Sequence, residues 1–314
     1  MSGAATTREA DRQLPIGPEI FLDHVGHFVA DTEAASRALA RAGFASTPAS
    51  IQVNPDPAGG APRLTGTGNV TAMLARGYVE VLFKTADTPL GREFDAAFAR
   101  YPGVHLAAFA VADAAAAHRR LGLSFRVRPL VDMQRPVETA SGPGTAAFTI
   151  VRLEPGDMPE GRIQVLTHRT ASTVWQPRWL THPNRAQALL DLVIAVADVE
   201  EAAERFARFT DRAAAWSPFG RMIPLDRGAV VLVTPSAFAT ILPEVPIPSL
   251  PFAGAYGIRV ASLATAEDVL RRGGIATRRV SGSLIARFPG ELGAGAWICV
   301  EDPTELPWRR PYRP

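Results

Sequence analysis

Cysteine and lysine are almost missing from this sequence of 314 residues. Cys299 is the only cysteine, which excludes an intramolecular disulfide and any metal site built from clustered thiolates. A reducing, cytoplasmic setting fits that usage. Of the 33 Lys and Arg residues only Lys84 is lysine, so Schiff-base chemistry has one candidate, with no evident activating partner. The net charge is +2 despite a pI near 9.0, too small an imbalance to mark a face for nucleic acid. The first 13 residues are small and polar with two Arg, and read as neither a signal peptide nor a membrane span. No Gly-x-Ser-x-Gly, His-Glu-x-x-His or nucleotide-binding fingerprint occurs.

What is present is a repeated pattern. Leu22-Asp-His-Val-Gly-His-Phe-Val-Ala-Asp-Thr-Glu-Ala-Ala35 reads as a buried strand running into a helix that starts at Asp31. Leu190-Asp-Leu-Val-Ile-Ala-Val-Ala-Asp-Val-Glu-Glu-Ala-Ala203 repeats it closely. The stretches 104–117 and 256–269 are looser copies. Each copy is followed by three short strand-like runs, at 48–53, 69–75 and 77–84, then 124–131, 145–153 and 162–168, then 212–216, 220–224 and 229–234, and finally 275–280, 283–288 and 295–300. The chain therefore reads as four β-α-β-β-β units, an internal duplication of the α+β class. Residues 1–19 read as a flexible tail, 20–168 as the first pair of units, 169–186 as a linker, 187–302 as a second, degenerate pair, and 303–314 as an irregular tail. The linker holds Trp175, Pro177, Trp179, Pro183 and Asn184, a mixture that seldom sits inside a regular element.

This unit order, with Leu22-Asp23-His24-Val25, Gly66-Thr67-Gly68-Asn69, Tyr78-Val79-Glu80-Val81 and Trp179-Leu180-Thr181-His182-Pro183-Asn184, resembles the glyoxalase-like branch of the vicinal oxygen chelate superfamily. The resemblance implies two glyoxalase/bleomycin-resistance-like domains, each a cup of curved mixed sheets. It also implies a divalent metal held by inward residues of the first and last strands of a unit pair. Carried over residue by residue, His24 and Glu80 are the ligands of the first unit and Gln164 is the last-strand ligand of the second. The remaining place falls on Leu106 by counting back from Asp113, whereas the histidine is its neighbour, His105. Adjacent strand residues face opposite sides of a sheet. An unbulged register turns His105 away and leaves the set incomplete. A bulge would bring it inward, giving His24, Glu80, His105 and Gln164 as a metal set suited to Zn, Mn, Fe or Ni.

In the second pair of units counting back from Asp198 puts Asp191 at the place of His24, whereas aligning the two Leu-Asp-x-Val strings puts Leu192 there; its last strands carry no carboxylate at the inward place, so any active site is expected within 20–168. That also disfavours an extradiol dioxygenase, whose site the resemblance would put in the second half. At the first cup, Glu80 is the expected catalytic residue, as ligand or proton carrier. Asn69 and Gln164 are expected to bind substrate. A structural role competes at each position: backbone bonding for His24, an Arg partner for Glu80, cross-sheet bonding for Gln164 and a hairpin for Asn69. Two functions follow. One is a metal-dependent enzyme of lyase, isomerase or hydrolase type acting on a small oxygen-rich substrate. The other is a metal-free protein that sequesters a small molecule in the same cup. His105 toward Glu80 favours the first, and away from it the second. A homodimer is expected from the exposed sheets; nucleic-acid and membrane partners are not.

Overall fold

The computed structural model of the protein describes residues 11–310 apart from residue 57, so the outer parts of both expected tails lie outside the described residues. The first unit comprises β1 (Ile20–Phe28), α1 (Thr32–Arg41), β2 (Ser50–Asn54), β3 (Arg63–Met73) and β4 (Tyr78–Lys84). Helix α2 (Pro89–Arg100) leads to the second: β5 (Gly103–Val111), α3 (Ala114–Leu121), β6 (Val131–Thr139), β7 (Gly142–Arg152) and β8 (Arg162–His168). The linker contains α4 (Ala171–Val174). The third unit is β9 (Ala186–Ala195), α5 (Val199–Thr210), β10 (Ala215–Ser217), β11 (Gly220–Pro224) and β12 (Ala229–Val233), followed by α6 (Pro235–Ile241). The fourth is β13 (Phe252–Val260), α7 (Leu263–Arg272), β14 (Thr277–Val280), β15 (Ser283–Arg287) and β16 (Ala296–Val300).

Four helices start at a capping side chain just after the first strand of a unit, so the four units share one element order. Asp31, Asp113, Asp198 and Ser262 accept hydrogen bonds from backbone N–H groups two or three residues on. In every unit the first strand runs parallel to the last, and the last is antiparallel to the third. In the first half β1 also pairs antiparallel with β5, and β2 meets β6 at Val53 and Gln134, so eight strands close into a ring. In the second half β9 pairs with β13, but β10 and β14 are not paired, and that cup stays open.

The outer faces carry the main apolar core, where α1, α3, α5 and α7 bury alanines, leucines and phenylalanines against strands of both halves. The linker is seated on the first half. His182 accepts from the Ala45 N–H at 3.0 Å through Nδ1 and donates to the Met73 carbonyl at 2.7 Å through Nε2, while Asn184 donates to the Ala42 carbonyl at 2.9 Å.

The structure corrects three expectations. The strand expected at 124–131 is mostly irregular, held to the end of β7 by the Val127–Leu153 bridge and by the Arg128 N–H on the Arg152 carbonyl at 2.9 Å, and the true strand is β6. Helices α2 and α6 stand where no element was expected, each capped by a threonine and opened by proline. Residues 303–309 form two short 3-10 turns that bury Leu306 and Trp308 in the second cup.

Candidate functional site

Strand alternation sorts the first ring cleanly. Val25, Val79, Val81, Ala107, Phe109 and Val165 face the helices, and the residues between them face inward. The inner wall consists of His24 on β1, Gln52 on β2, Asn69 on β3, Tyr78, Glu80 and Leu82 on β4, and Leu106 on β5. The second unit adds Met133 and Arg135 on β6, Phe148, Ile150 and Arg152 on β7, and Arg162, Gln164 and Leu166 on β8. Gly26 lies between His24 and the end of β1, and a Cβ there would come within 2.7 Å of Leu82 and 3.0 Å of Leu106. A larger residue there would have to displace the end of Leu82 and crowd Leu106, so glycine lets the two leucines close that part of the wall. The volume open to the centre of a water-sized sphere is about 20 Å³, enough for one or two waters or a compact head group.

Asp23, Asn69 and Gln52 hold the two central side chains of the cup, His24 and Glu80. A bulge between Leu22 and His24 brings Asp23 beside His24, whose Nδ1 is 2.8 Å from the Asp23 carboxylate. The other oxygen of Asp23 is 3.1 Å from His168 Nε2 at the end of β8. Burial alone would raise the pKa of this carboxyl, yet the charge and hydrogen bonding of His168 and His24 hold it far below the ordinary range. Asp23 is thus ionised, accepts the His24 Nδ1–H, and leaves Nε2 pointing at Glu80 Oε2, 3.5 Å away. That gap is too long for a strong direct hydrogen bond. The His24 ring stacks on Tyr78 at 4.2 Å. Glu80 Oε1 accepts from Asn69 Nδ2 at 2.5 Å and Gln52 Nε2 at 3.3 Å, and Asn69 Oδ1 is buried with no hydrogen-bond partner.

His24, Glu80, Asn69 and Gln164 share one cavity. His105 does not join them. It is the extra residue where the β1–β5 register slips between Gly26 and His27, and its Nε2 is 2.6 Å from the Tyr101 carbonyl, between the Tyr101 and Phe28 rings. Leu106 faces the cup in its place, paired with Gly26. Burial lowers the pKa of His105 to about 4, its bond to Tyr101 offsetting only part of that.

The residues present do not fit a bound divalent metal. His24 and Glu80 are two donors at a suitable separation, but the Gln164 carbonyl accepts from Arg152 Nε at 3.3 Å and the fourth place is a leucine. Among the described residues no three His, Cys, Asp or Glu side chains group as a cation site. Arg135, Arg152 and Arg162 line the same cavity and place three positive charges beside its one carboxylate. These arginines, with Asp23 and His168, were not among the expected site residues. Arg152 and Arg162 lay on expected strands at inward parity, which was a usable signal. Arg135 lay outside any expected strand.

Residues 22–210 match the glyoxalase-like domain family. No curated protein matches the chain. Among solved structures, a hypothetical protein from Staphylococcus aureus is similar over 89% of this chain and 98% of its own, with TM-score 0.59 and 10% identity. A triple mutant of 4-hydroxymandelate synthase from Streptomyces coelicolor is similar over 90% and 93%, with TM-score 0.56 and 16% identity. A xylose isomerase-like TIM barrel/4-hydroxyphenylpyruvate dioxygenase fusion protein is similar over 92% of this chain and 50% of its own, with TM-score 0.51 and 11% identity. Identities this low speak for a shared fold alone.

Proposed function

Since the chain belongs to the glyoxalase-like domain family of the vicinal oxygen chelate superfamily, we propose that its N-terminal cup binds a small molecule without the help of a divalent metal. The observation that carries this reading is the donor set: Leu106 fills the place of a second first-strand ligand, His105 faces away, and three guanidinium groups share the cavity. A cation entering would face net repulsion and find two donors where four are needed. His24 and Glu80 are then the groups that meet the ligand, with Asn69 and Gln164 beside them.

The geometry of Asp23, His24 and Glu80 favours a second, narrower reading in which the bound molecule is also turned over. Asp23 fixes the His24 tautomer so that Nε2 is presented to the cavity, and Asn69 with Gln52 fixes the Glu80 carboxylate opposite it. Two proton-accepting groups facing across a 3.5 Å gap suit the transfer of a proton from one atom of a ligand to another, as in an isomerase or lyase.

Elemental analysis of the purified chain, alone and after exposure to Zn, Mn, Fe or Ni, tests the metal-free reading. Far less than one metal per chain is expected for the wild type and for His24→Ala. Leu106→His, which supplies the missing imidazole, is expected to raise uptake. About one metal per wild-type chain, lost in both His24→Ala and Glu80→Ala, would overturn it.

A further inference from the structure

The cup carries more positive charge than its own residues neutralise. Arg135 is 3% exposed and lines the cavity, yet no described residue hydrogen-bonds its guanidinium. Its charge is felt only by Tyr78 and Glu80. Arg152 has one hydrogen bond, to Gln164, and Arg162 one, to the Leu90 carbonyl at 3.3 Å, with its guanidinium 5.1 Å over the Phe28 ring. Burial, and for Arg152 the neighbouring Arg162, lowers their pKa values to about 9 and about 10, so both stay charged at neutral pH. Among the described residues that line the cup Glu80 is the single carboxylate, and Asp23 behind His24 is engaged by His24 and His168. Glu93 on α2 is also within electrostatic reach, but its carboxylate accepts from Arg128 at 2.7 Å. Guanidinium groups withdrawn from water without partners are costly unless something else pairs with them.

We infer that the N-terminal cup binds an organic oxyanion, its carboxylate or phosphate held by Arg135, Arg152 and Arg162 and its apolar body lying in the channel beneath α2. Planar guanidinium forks suit either oxyanion. The cup itself holds only a head group, so the rest of the molecule must lie outside it. A channel of about 500 Å³ shares Arg152 and Arg162 with the cup; its lining is apolar at Phe28, Ala97, Met158 and Ile163 and charged at Glu93, Arg100, Arg128 and Glu154. That is the size and character of a small-molecule site. The cavity of about 300 Å³ that Arg178 also lines shares a single guanidinium with the cup, that of Arg135, where the channel shares two. Inside the cup the unpartnered Asn69 Oδ1 offers an acceptor to a hydroxyl near the anionic end.

This inference rests on the cup being a small-molecule site, and its test keeps the two apart. Calorimetric titration of the full-length, chelator-treated protein would use phenylacetate and phenyl phosphate as oxyanion probes and neutral phenylacetamide as control, with metal content measured in the same samples. Saturable binding of at least one oxyanion is expected, and the stronger of the two identifies the head group. Arg152→Gln and Arg162→Gln are expected to weaken it about tenfold or more, as loss of a charge-assisted hydrogen bond implies. Arg135→Met is expected to raise the melting temperature of the ligand-free protein while abolishing stabilisation by the anion. No oxyanion binding at millimolar concentration, equal binding of the amide, unchanged affinity in the Gln variants, or a lowered melting temperature in Arg135→Met would each overturn the inference. Metal found at one per chain while anion binding persists would instead overturn the metal-free reading alone.

Discussion

The two halves of the molecule build the same cup and fill it differently. Register places His24, Glu80, Leu106 and Gln164 around the first, and Asp191, Val231, Ala255 and Ile298 at the matching places of the second. The first is a closed ring with a polar floor. The second is open between β10 and β14, and the chain itself fills it: Phe238 and Ile241 of α6, then Leu306 and Trp308 of the final turns. Asp191 shows how far the roles have diverged. At the place where the first cup holds His24, its carboxylate accepts from Trp308 Nε1 at 2.6 Å and from Arg309 Nε at 2.6 Å and Nη2 at 2.5 Å. One inward position faces a cavity in the first half and anchors the C-terminal segment in the second. A fold that presents the same inward positions twice can keep one cup for a ligand and spend the other on stability.

The sharpest way to break this comparison is to unplug the second cup. Trp308→Ala removes a side chain that is 1% exposed, and a cost of roughly 3–5 kcal/mol is expected from the lost burial and the cavity left behind. Asp191→Ala removes the buried carboxylate on which the Trp308 N–H and the Arg309 guanidinium converge, and is expected to cost about as much. Urea unfolding measures both. If either variant were as stable as the wild type and gained affinity for small molecules, the second cup would be a site and not a plug.

Acid should act on the seam between the halves. Trp297 Nε1–H donates to Tyr256 Oη at 2.7 Å, Tyr256 O–H donates to His27 Nε2 at 2.8 Å, and His27 Nδ1–H donates to the Leu292 carbonyl at 2.9 Å. The chain is complete only with a neutral imidazole. Burial lowers the His27 pKa from 6.5 to about 4, the Leu292 bond opposing it. A folded value below the unfolded one means that the unfolded chain takes up the proton first. This stabilisation is therefore fully present above pH 6.5 and is lost as pH falls toward about 4, a swing of up to roughly 3 kcal/mol. His27→Gln is expected to flatten that part of a stability–pH curve, and a curve of unchanged steepness would remove His27 from the account. His105, lowered to about 4 by its own burial, adds to the same acid limb from the other side of β5.

Glu80→Gln probes the floor of the first cup at lower cost. It removes the carboxylate that Asn69 and Gln52 hold and leaves the three guanidinium groups less balanced. A loss of about 1–3 kcal/mol is expected from the broken charge-assisted bonds. Val231, at the matching place of the second cup, has no polar partner to lose.

Much of this contrast was legible in the sequence, because it depends on alternation and on caps. Aspartates at positions 31, 113 and 198 mark three helix starts, and counting back seven residues from them lands on His24, Leu106 and Asp191, all inward. The same count left His105 facing away. What alternation could not supply was the position of β6. Pro136 lies inside it, and proline weighs against reading a run as a strand. With β6 expected five or more residues early, Arg135 had no face assigned, and the third guanidinium of the cup stayed out of view. Bulges were equally hidden. The slip at Leu22 and His24 sets Asp23 beside its neighbour, where strict alternation would put it on the other face. The C-terminal plug was missed for a tertiary reason: Trp308 is anchored by a carboxylate 117 residues earlier in the chain.

The smallest effect is expected at Arg287. It ends β15 opposite Ala296, is exposed, and lies on the open sheet of the second half. If the two cups have separate roles, Arg287→Ala should change stability by no more than about 0.5 kcal/mol and leave oxyanion affinity untouched. The measurement is informative because the protein is rich in arginine, and a diffuse positive field could draw anions without any built site. In that case removing a distant guanidinium would weaken binding in proportion to its charge, and raising the salt concentration would mimic the substitution. Affinity that falls for Arg152→Gln and holds for Arg287→Ala at the same ionic strength locates the recognition in the first cup. Affinity that falls alike for both would make the arginines of the two halves one surface field and erase the distinction between the cups.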